Sequence, residues 1–147
     1  MDQQLQLVTL GVRDLATSRR FYLDWLQREP TLDLDEIVFV QVGYALLLGL
    51  FPATDLAADA TLPPSAFGPA GPSPLSLART VTSRTEVDET LARAVAAGAT
   101  VVKPGTDAPV IDGYHCYFSD PDQFLWEIAY NPGLHMDRDG RVRFGGS

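Results

Sequence analysis

The feature that most restricts what this chain can fold into is an order of elements that occurs twice. A strand-like run is followed by one amphipathic helix and then by three further strand-like runs. In the first copy, Leu5 to Val12 is rich in Leu and Val, and Asp14 stands where an N-cap belongs. From Leu15 the apolar residues recur at helical intervals, including Phe21, Tyr22, Trp25 and Leu26, until Pro30 closes the segment. A short strand comes next, and then Glu36 to Val42 and Tyr44 to Phe51 read as a hairpin joined at Gly43. The second copy opens with the strand Leu75 to Val81. Ser83-Arg84-Thr85-Glu86 has capping-box spacing, and a helix follows with Val87, Leu91, Ala94 and Val95, ending at Gly98. Strands are expected near Thr100 to Lys103, Gly113 to Ser119 and Phe124 to Tyr130.

This order predicts an α+β fold of two βαβββ modules, about 5–51 and 75–131, forming a curved mixed sheet around a central cavity with the helices outside. One helix covers only one face of each half-sheet. Two half-sheets side by side would enclose a chamber, the default binding site. Between the modules, about 52–74, lie six of the eleven prolines, which limits this linker to one helical turn around Thr54 to Ala60. The tail, 132–147, carries an Asp139-Gly140 turn and reads as a late hairpin or loop. The whole of 1–147 is expected to be a single domain, with the modules pairing either within one chain or between two.

Composition narrows the function classes. A length of 147 residues with 46% hydrophobic content suits one good core, and the net charge of −8 repels phosphates and anionic lipid. Neither nucleic acid nor membrane is expected as a partner. Cys116 is the sole cysteine, so no internal disulfide can form. Met1-Asp2-Gln3-Gln4 lacks the basic and apolar blocks of a signal peptide. The longest apolar stretch, Tyr44 to Phe51, is broken by Gly49 and is far shorter than the roughly 20 residues that span a bilayer. A cytoplasmic location is the expectation. No glycine-rich phosphate-binding motif occurs.

Two stretches carry a family resemblance. The first is Leu7-Val8-Thr9-Leu10-Gly11-Val12-Arg13-Asp14-Leu15 with Ser18 and Phe21-Tyr22; the second is Gly113-Tyr114-His115-Cys116-Tyr117-Phe118-Ser119-Asp120-Pro121-Asp122 with Trp126-Glu127-Ile128 and Asn131-Pro132. With Val87-Asp88 and Ala97-Gly98, this pattern resembles the vicinal oxygen chelate superfamily of glyoxalases, bleomycin-resistance proteins and dioxygenases over roughly residues 5 to 132. The resemblance implies four positions at which metal-dependent members hold a divalent ion. Here these fall on Leu7, on Ser76, at or beside Leu47, and on Glu127, the only ligand-type residue of the four. Metal sites normally need three or more protein donors. No cofactor is therefore expected, and a divalent metal held by Glu127 with unexpected partners such as His115 is the alternative. Many relatives are homodimers, and a homodimer is expected here.

Strand alternation assigns faces. If Val8, Leu10 and Val12 meet the first helix, Leu7, Thr9 and Gly11 face the cavity. Likewise Leu125, Glu127 and Ala129 face it, as do His115 and Tyr117 if Phe118 is core. The Asp120 to Gln123 turn brings His115 roughly opposite Glu127. The functional reading makes His115 and Glu127 a catalytic acid/base pair, with Thr9, Tyr44, Ser76, Tyr117 and Glu127 binding a small, partly aromatic molecule. The plainer reading makes Glu127 a relic satisfied by water or a hydroxyl, and His115 a polar strand residue. His135 is assigned to the surface, Cys116 to an inert place beneath a helix, and Phe21, Trp25 and Trp126 to the core. Arg79 stands where the first module has Leu10, on a face that should meet a helix. Gln123 occupies a turn position that the resembled family usually gives to Gly. Three functions compete: a metal-free binding protein of drug-sequestering type, an enzyme (metal-dependent lyase or dioxygenase, or metal-free isomerase), and a purely associative dimer with a vestigial pocket.

Overall fold

Residues 4–68 and 73–145 are described by a computed structural model. Residues 1–3, 69–72 and 146–147 lie outside, and with them most of the amino-terminal reading and parts of the linker and tail readings. The chain divides into two compact units. The first contains β1 (Leu7–Val12), α1 (Leu15–Leu26), β2 (Leu32–Asp33), β3 (Val38–Gly43), β4 (Leu46–Pro52) and α2 (Ala53–Asp59). The second contains β5 (Ser76–Val81), α3 (Arg84–Ala97), β6 (Thr100–Ala108), β7 (Gly113–Ser119), β8 (Leu125–Tyr130), β9 (Leu134–Met136) and β10 (Val142–Phe144). The protein is α+β, with one four-stranded mixed sheet in each unit.

In the first unit the strand order is β1-β4-β3-β2, with β1 parallel to β4 and the other pairs antiparallel. Asp14 starts α1 from an extended backbone, its Oδ1 accepting from the N–H of Ala16 at 3.0 Å and of Thr17 at 3.3 Å. Two orphan donors of the first turn are thereby satisfied. Phe21, Tyr22 and Trp25 on α1, with Leu10, Val12, Val38, Val40, Leu48 and Leu50 from the sheet, make a fully buried core. The β3–β4 turn sits on Tyr44-Ala45, just beyond the Gly43 junction that the sequence suggests. A register shift between Gln41 and Gly43 moves it, and the Gln41 amide holds it by donating to the carbonyls of Gly43, Tyr44 and Leu46.

The second unit repeats the plan as β5-β8-β7-β6, with β5 parallel to β8. Ser83 Oγ accepts from the Glu86 N–H at 3.1 Å, as the capping box requires. The returning Glu86 carboxylate goes one residue further back, accepting from the Thr82 N–H at 2.8 Å and hydroxyl at 2.7 Å, and these bonds hold it below the usual carboxylate range. Gly98 ends α3 with a φ of 116°, where only glycine is unstrained. Val87, Thr90 and Ala94 of α3 are buried, as are Cys116, Phe118, Trp126 and Ile128 of β7 and β8, and α3 packs on both strands. Arg79 is exposed on β5, where its charge acts on Glu86. Strand β6 runs five residues beyond the expected end at Lys103. Two register shifts carry it past Pro104, and as an edge strand it tolerates a residue with no N–H. The tail forms the antiparallel β9–β10 hairpin, turning at Gly140 with a φ of 79°. No helix among the described residues is long and apolar enough to cross a membrane.

Candidate functional site

Each sheet has one face under its helix and one open face, and chemistry collects on the open face of the second unit. Cys116, Phe118, Trp126 and Ile128 point toward α3, so alternation sends His115, Tyr117, Leu125, Glu127 and Ala129 the other way. The register refines the expected pairing. Tyr117 stands opposite Glu127 and His115 opposite Ala129, so His115 and Glu127 are diagonal neighbours rather than directly opposed. Diagonal neighbours remain within reach of long side chains. His115 Nδ1 lies 3.0 Å from Glu127 Oε1, with the two side chains 17% and 22% exposed.

Two further groups complete the cluster. The Tyr117 ring packs edge-on against His115 at 5.3 Å between centroids. Its phenol is pushed up from the ordinary range by burial first, and then by the charge of Glu127 and a hydrogen bond to it. On the far side of the imidazole, Lys103 Nζ lies 3.2 Å from His115 Nε2. An ammonium can only donate, so Nε2 accepts, the ring proton sits on Nδ1, and Glu127 accepts that proton's hydrogen bond. The side chains run Lys103 to His115 to Glu127, with Tyr117 on Glu127. Sequence reasoning gave Lys103 no role, although it is the only lysine in the chain.

The open face of the first unit differs. The register sets Leu7 beside Leu47, Thr9 beside Gly49, and Gly49 opposite Phe39. A Cβ added at Gly49 would meet Thr9 Oγ1 at 3.0 Å and the Phe39 ring at 3.1 Å, so the Phe39 ring fills the space above Gly49. Short α2 lies over the Gly11 end, where a Cβ would touch Ala53 and Leu56 at 3.4 Å. Gln41 is spent on the turn carbonyls, and the remaining side chains are apolar apart from the Thr9 hydroxyl.

The register also corrects one position marked by the resemblance. Aligning β1 on β5 through Val12 and Val81 makes Thr9 equivalent to Ala78. Thr9 pairs with Gly49 and Ala78 pairs with Glu127. The counterpart of Glu127 is therefore Gly49, two residues beyond Leu47 on the same face. Ser76 pairs with Leu125, one alternation along β5 from the residue beside Glu127. Tyr44 is 94% exposed at the hairpin tip and does not join the Thr9 face. His135 is exposed on β9. Cys116 is fully buried, and burial pushes its thiol up to about 11, which leaves it protonated at neutral pH. No three His, Cys, Asp or Glu side chains converge as a metal site among the described residues.

A family model described as the Glyoxalase/Bleomycin resistance protein/Dioxygenase superfamily matches residues 4–128, which span both sheets and the cluster. The chain belongs to this superfamily. Among solved structures, a glyoxalase-related enzyme from Fulvimarina pelagi is 33% identical, covering 98% of this chain and 99% of its own, with a TM-score of 0.85. A lactoylglutathione lyase from Agrobacterium tumefaciens is 26% identical over 88% of this chain and 94% of its own, with a TM-score of 0.66. A genomically encoded fosfomycin resistance protein from Listeria monocytogenes, at 24% identity, 88% and 94% coverage and a TM-score of 0.66, shares the fold. No curated protein matches the chain. Within the superfamily's duplicated plan, this member carries its polar groups on one sheet and an aromatic filler on the other.

Proposed function

We propose that this superfamily member binds a small, partly aromatic organic molecule against the open face of its second unit, with His115 and Glu127 as the polar anchor. The observation that carries this reading is the 3.0 Å contact between His115 Nδ1 and Glu127 Oε1 on a partly buried face with Tyr117 alongside. A carboxylate holding Nδ1–H fixes the tautomer and aims the Nε2 lone pair outward, toward Lys103 or toward a ligand that displaces it. The reading needs no resident metal. Of the four positions marked by the resemblance only Glu127 offers a donor, and its Oε1 is engaged by His115.

The test is a thermal-shift screen of aromatic acids, amines and neutral analogues against the native protein and the Glu127→Gln and His115→Ala variants. Stabilising compounds are expected to lose most of their shift in both variants. Ligands indifferent to both substitutions would overturn the reading. Elemental analysis of gently purified protein adds a second check, because a stoichiometric divalent ion lost in Glu127→Gln would remove its metal-free part.

The outward Nε2 also favours a second reading, a metal-free isomerase. On a substrate with a hydroxyl on the carbon beside its carbonyl, Nε2 would take the proton from that carbon and return it to the former carbonyl carbon while the hydroxyl proton passes to the carbonyl oxygen, so the proton count is unchanged. Turnover lost in His115→Ala but retained after exhaustive chelation would support it.

A further inference from the structure

Lys103 is the only lysine in a chain whose other ten cations are arginines. Its place on the open face is built rather than incidental. Val101 pairs with Phe118 on the α3 side, so an unbroken ladder would set Lys103 opposite Cys116 and turn it toward the helix. The extra residue Val102 shifts the register and sets Lys103 opposite Tyr117 instead. A second extra residue between Lys103 and Thr106 returns Thr106 to the same face, opposite His115.

The second bulge is pinned from behind. At Gly105 an added Cβ would lie 2.2 Å from the Tyr114 hydroxyl and 2.4 Å from Asp88 Oδ1. The Tyr114 hydroxyl donates to Asp88 on α3 at 3.0 Å, and the Arg84 guanidinium sits 5.3 Å from the centre of the Tyr114 ring. Thr106 Oγ1 closes the bulge by donating to the Pro104 carbonyl at 2.8 Å. Two local distortions and a tethered helix thus hold one flexible side chain on the ligand face.

That ammonium is partnered by imidazole rather than by a carboxylate among the described residues, in a protein of net charge −8. A cation with two donor hydrogens beyond the one given to Nε2, beside a ring nitrogen a ligand can uncover, is a receptor for an oxygen anion. One ammonium balances one negative charge, and the Glu127 carboxylate on the other side of the imidazole repels a second, so a singly charged carboxylate or phenolate fits better than a phosphate dianion.

We infer that Lys103 is the charge-selecting residue of the site, and that the molecule bound there is an organic anion, a carboxylate or phenolate on an apolar or aromatic frame. This rests on the small-molecule reading above and narrows its substrate class. The anionic oxygen sits at the Lys103 end, with the imidazole between it and the Glu127 carboxylate.

The experiment compares benzoate and 2-naphthoate with benzamide and 2-naphthamide by calorimetry on the full chain, with phenyl phosphate as a dianionic arm. The acids are expected to bind roughly tenfold or more tightly than their amides, the scale of a charge-assisted hydrogen bond. Lys103→Met should abolish that preference, the acids losing roughly tenfold more affinity than their amides, with little change in thermal stability because the residue is exposed. Reductive methylation with labelled formaldehyde tags Lys103 as the only lysine side chain, and its carbon resonance should move on adding benzoate.

Equal affinity for acid and amide, an acid preference that survives Lys103→Met, a preference for the phosphate, or a tagged resonance unmoved by millimolar benzoate would each overturn the inference. Its failure is separable from that of the broader reading. Acids and amides that bind equally, and are both lost in His115→Ala, leave the pocket standing without charge selection. Binding that needs Lys103 but ignores His115→Ala and Glu127→Gln removes the pocket reading instead.

Discussion

The two sheets of this protein share strand order, parallel pairing and the face that meets the main helix, yet their open faces have little in common. In the first unit Phe39 lies over Gly49, α2 covers the Gly11 end, and Gln41 is consumed by its own turn. In the second, the position equivalent to Gly49 is Glu127, joined to His115 and Tyr117, with Lys103 on the other ring nitrogen of His115. The helix-facing half of each strand must be apolar for either unit to fold. The other half is under no such demand, so a duplicated fold can concentrate its chemistry in one copy and fill the other with side chains.

The comparison breaks most visibly if the cores are unequal. Phe21 and Phe118 occupy corresponding depths, 1% and 0% exposed. Replacing either with Ala removes a buried ring and leaves a cavity, with an expected cost of about 3–5 kcal/mol. Denaturant titration of both variants checks this. A cost below about 1 kcal/mol in one of them would mean that its unit is not held by the packing described.

The second unit alone carries a buried thiol, and this separates the units by pH. Burial raises Cys116 from its ordinary 9.0 to about 11, so the folded state holds the proton more tightly than the unfolded state. A raised pKa gives stability that is complete below 9 and is lost as pH climbs toward 11, at most about 2–3 kcal/mol in all. Cys116→Ala should be the less stable protein at neutral pH and should show a flatter alkaline limb. Parallel slopes from pH 8 to 11 in urea titrations would remove the link between that limb and this residue.

A smaller effect sharpens the contrast between Gly49 and Glu127. Gly49→Ala forces a methyl against the Thr9 hydroxyl and the Phe39 ring, and overpacking of this kind costs about 1–2 kcal/mol. In a Phe39→Ala background the same substitution should cost much less, and a double-mutant cycle measures the difference. Strict additivity would show that the ring is not what closes this position.

What was legible in the sequence follows the same division. Alternation gave which residues of β7 and β8 point away from α3, and cap chemistry at Asp14 and Ser83 gave both helix starts, because these depend on neighbours along the chain. Register does not. The shift at Gln41 moved the first turn past Gly43, and the counterpart of Glu127 proved to be Gly49 rather than Leu47 once β1 and β4 were paired. The strand expected near Thr100 to Lys103 continues to Ala108 through two bulges, and those bulges bring Lys103 to His115. The available signal was compositional: a single lysine among eleven cations, two residues before a glycine.

The smallest expected effect concerns the turns between the last two strands of each four-stranded sheet. The β3–β4 turn is secured by the Gln41 amide, whereas the β7–β8 turn is secured by Asp120, whose Oδ1 accepts from the N–H of Asp122 at 2.9 Å and of Phe124 at 2.8 Å. That arrangement places Gln123 in the left-handed region, with a φ of 69°. A residue with a Cβ is strained there by roughly 1 kcal/mol, and glycine is not. Glycine also widens the unfolded ensemble, which returns about half of that gain. Gln123→Gly should therefore stabilise the protein by about 0.5 kcal/mol, read as a small rise in the urea midpoint at unchanged slope. A loss of stability would mean that the Gln123 side chain makes a contact worth more than the strain it bears, and that the Asp120 hydrogen bonds alone do not hold the turn between the strands carrying Tyr117 and Glu127.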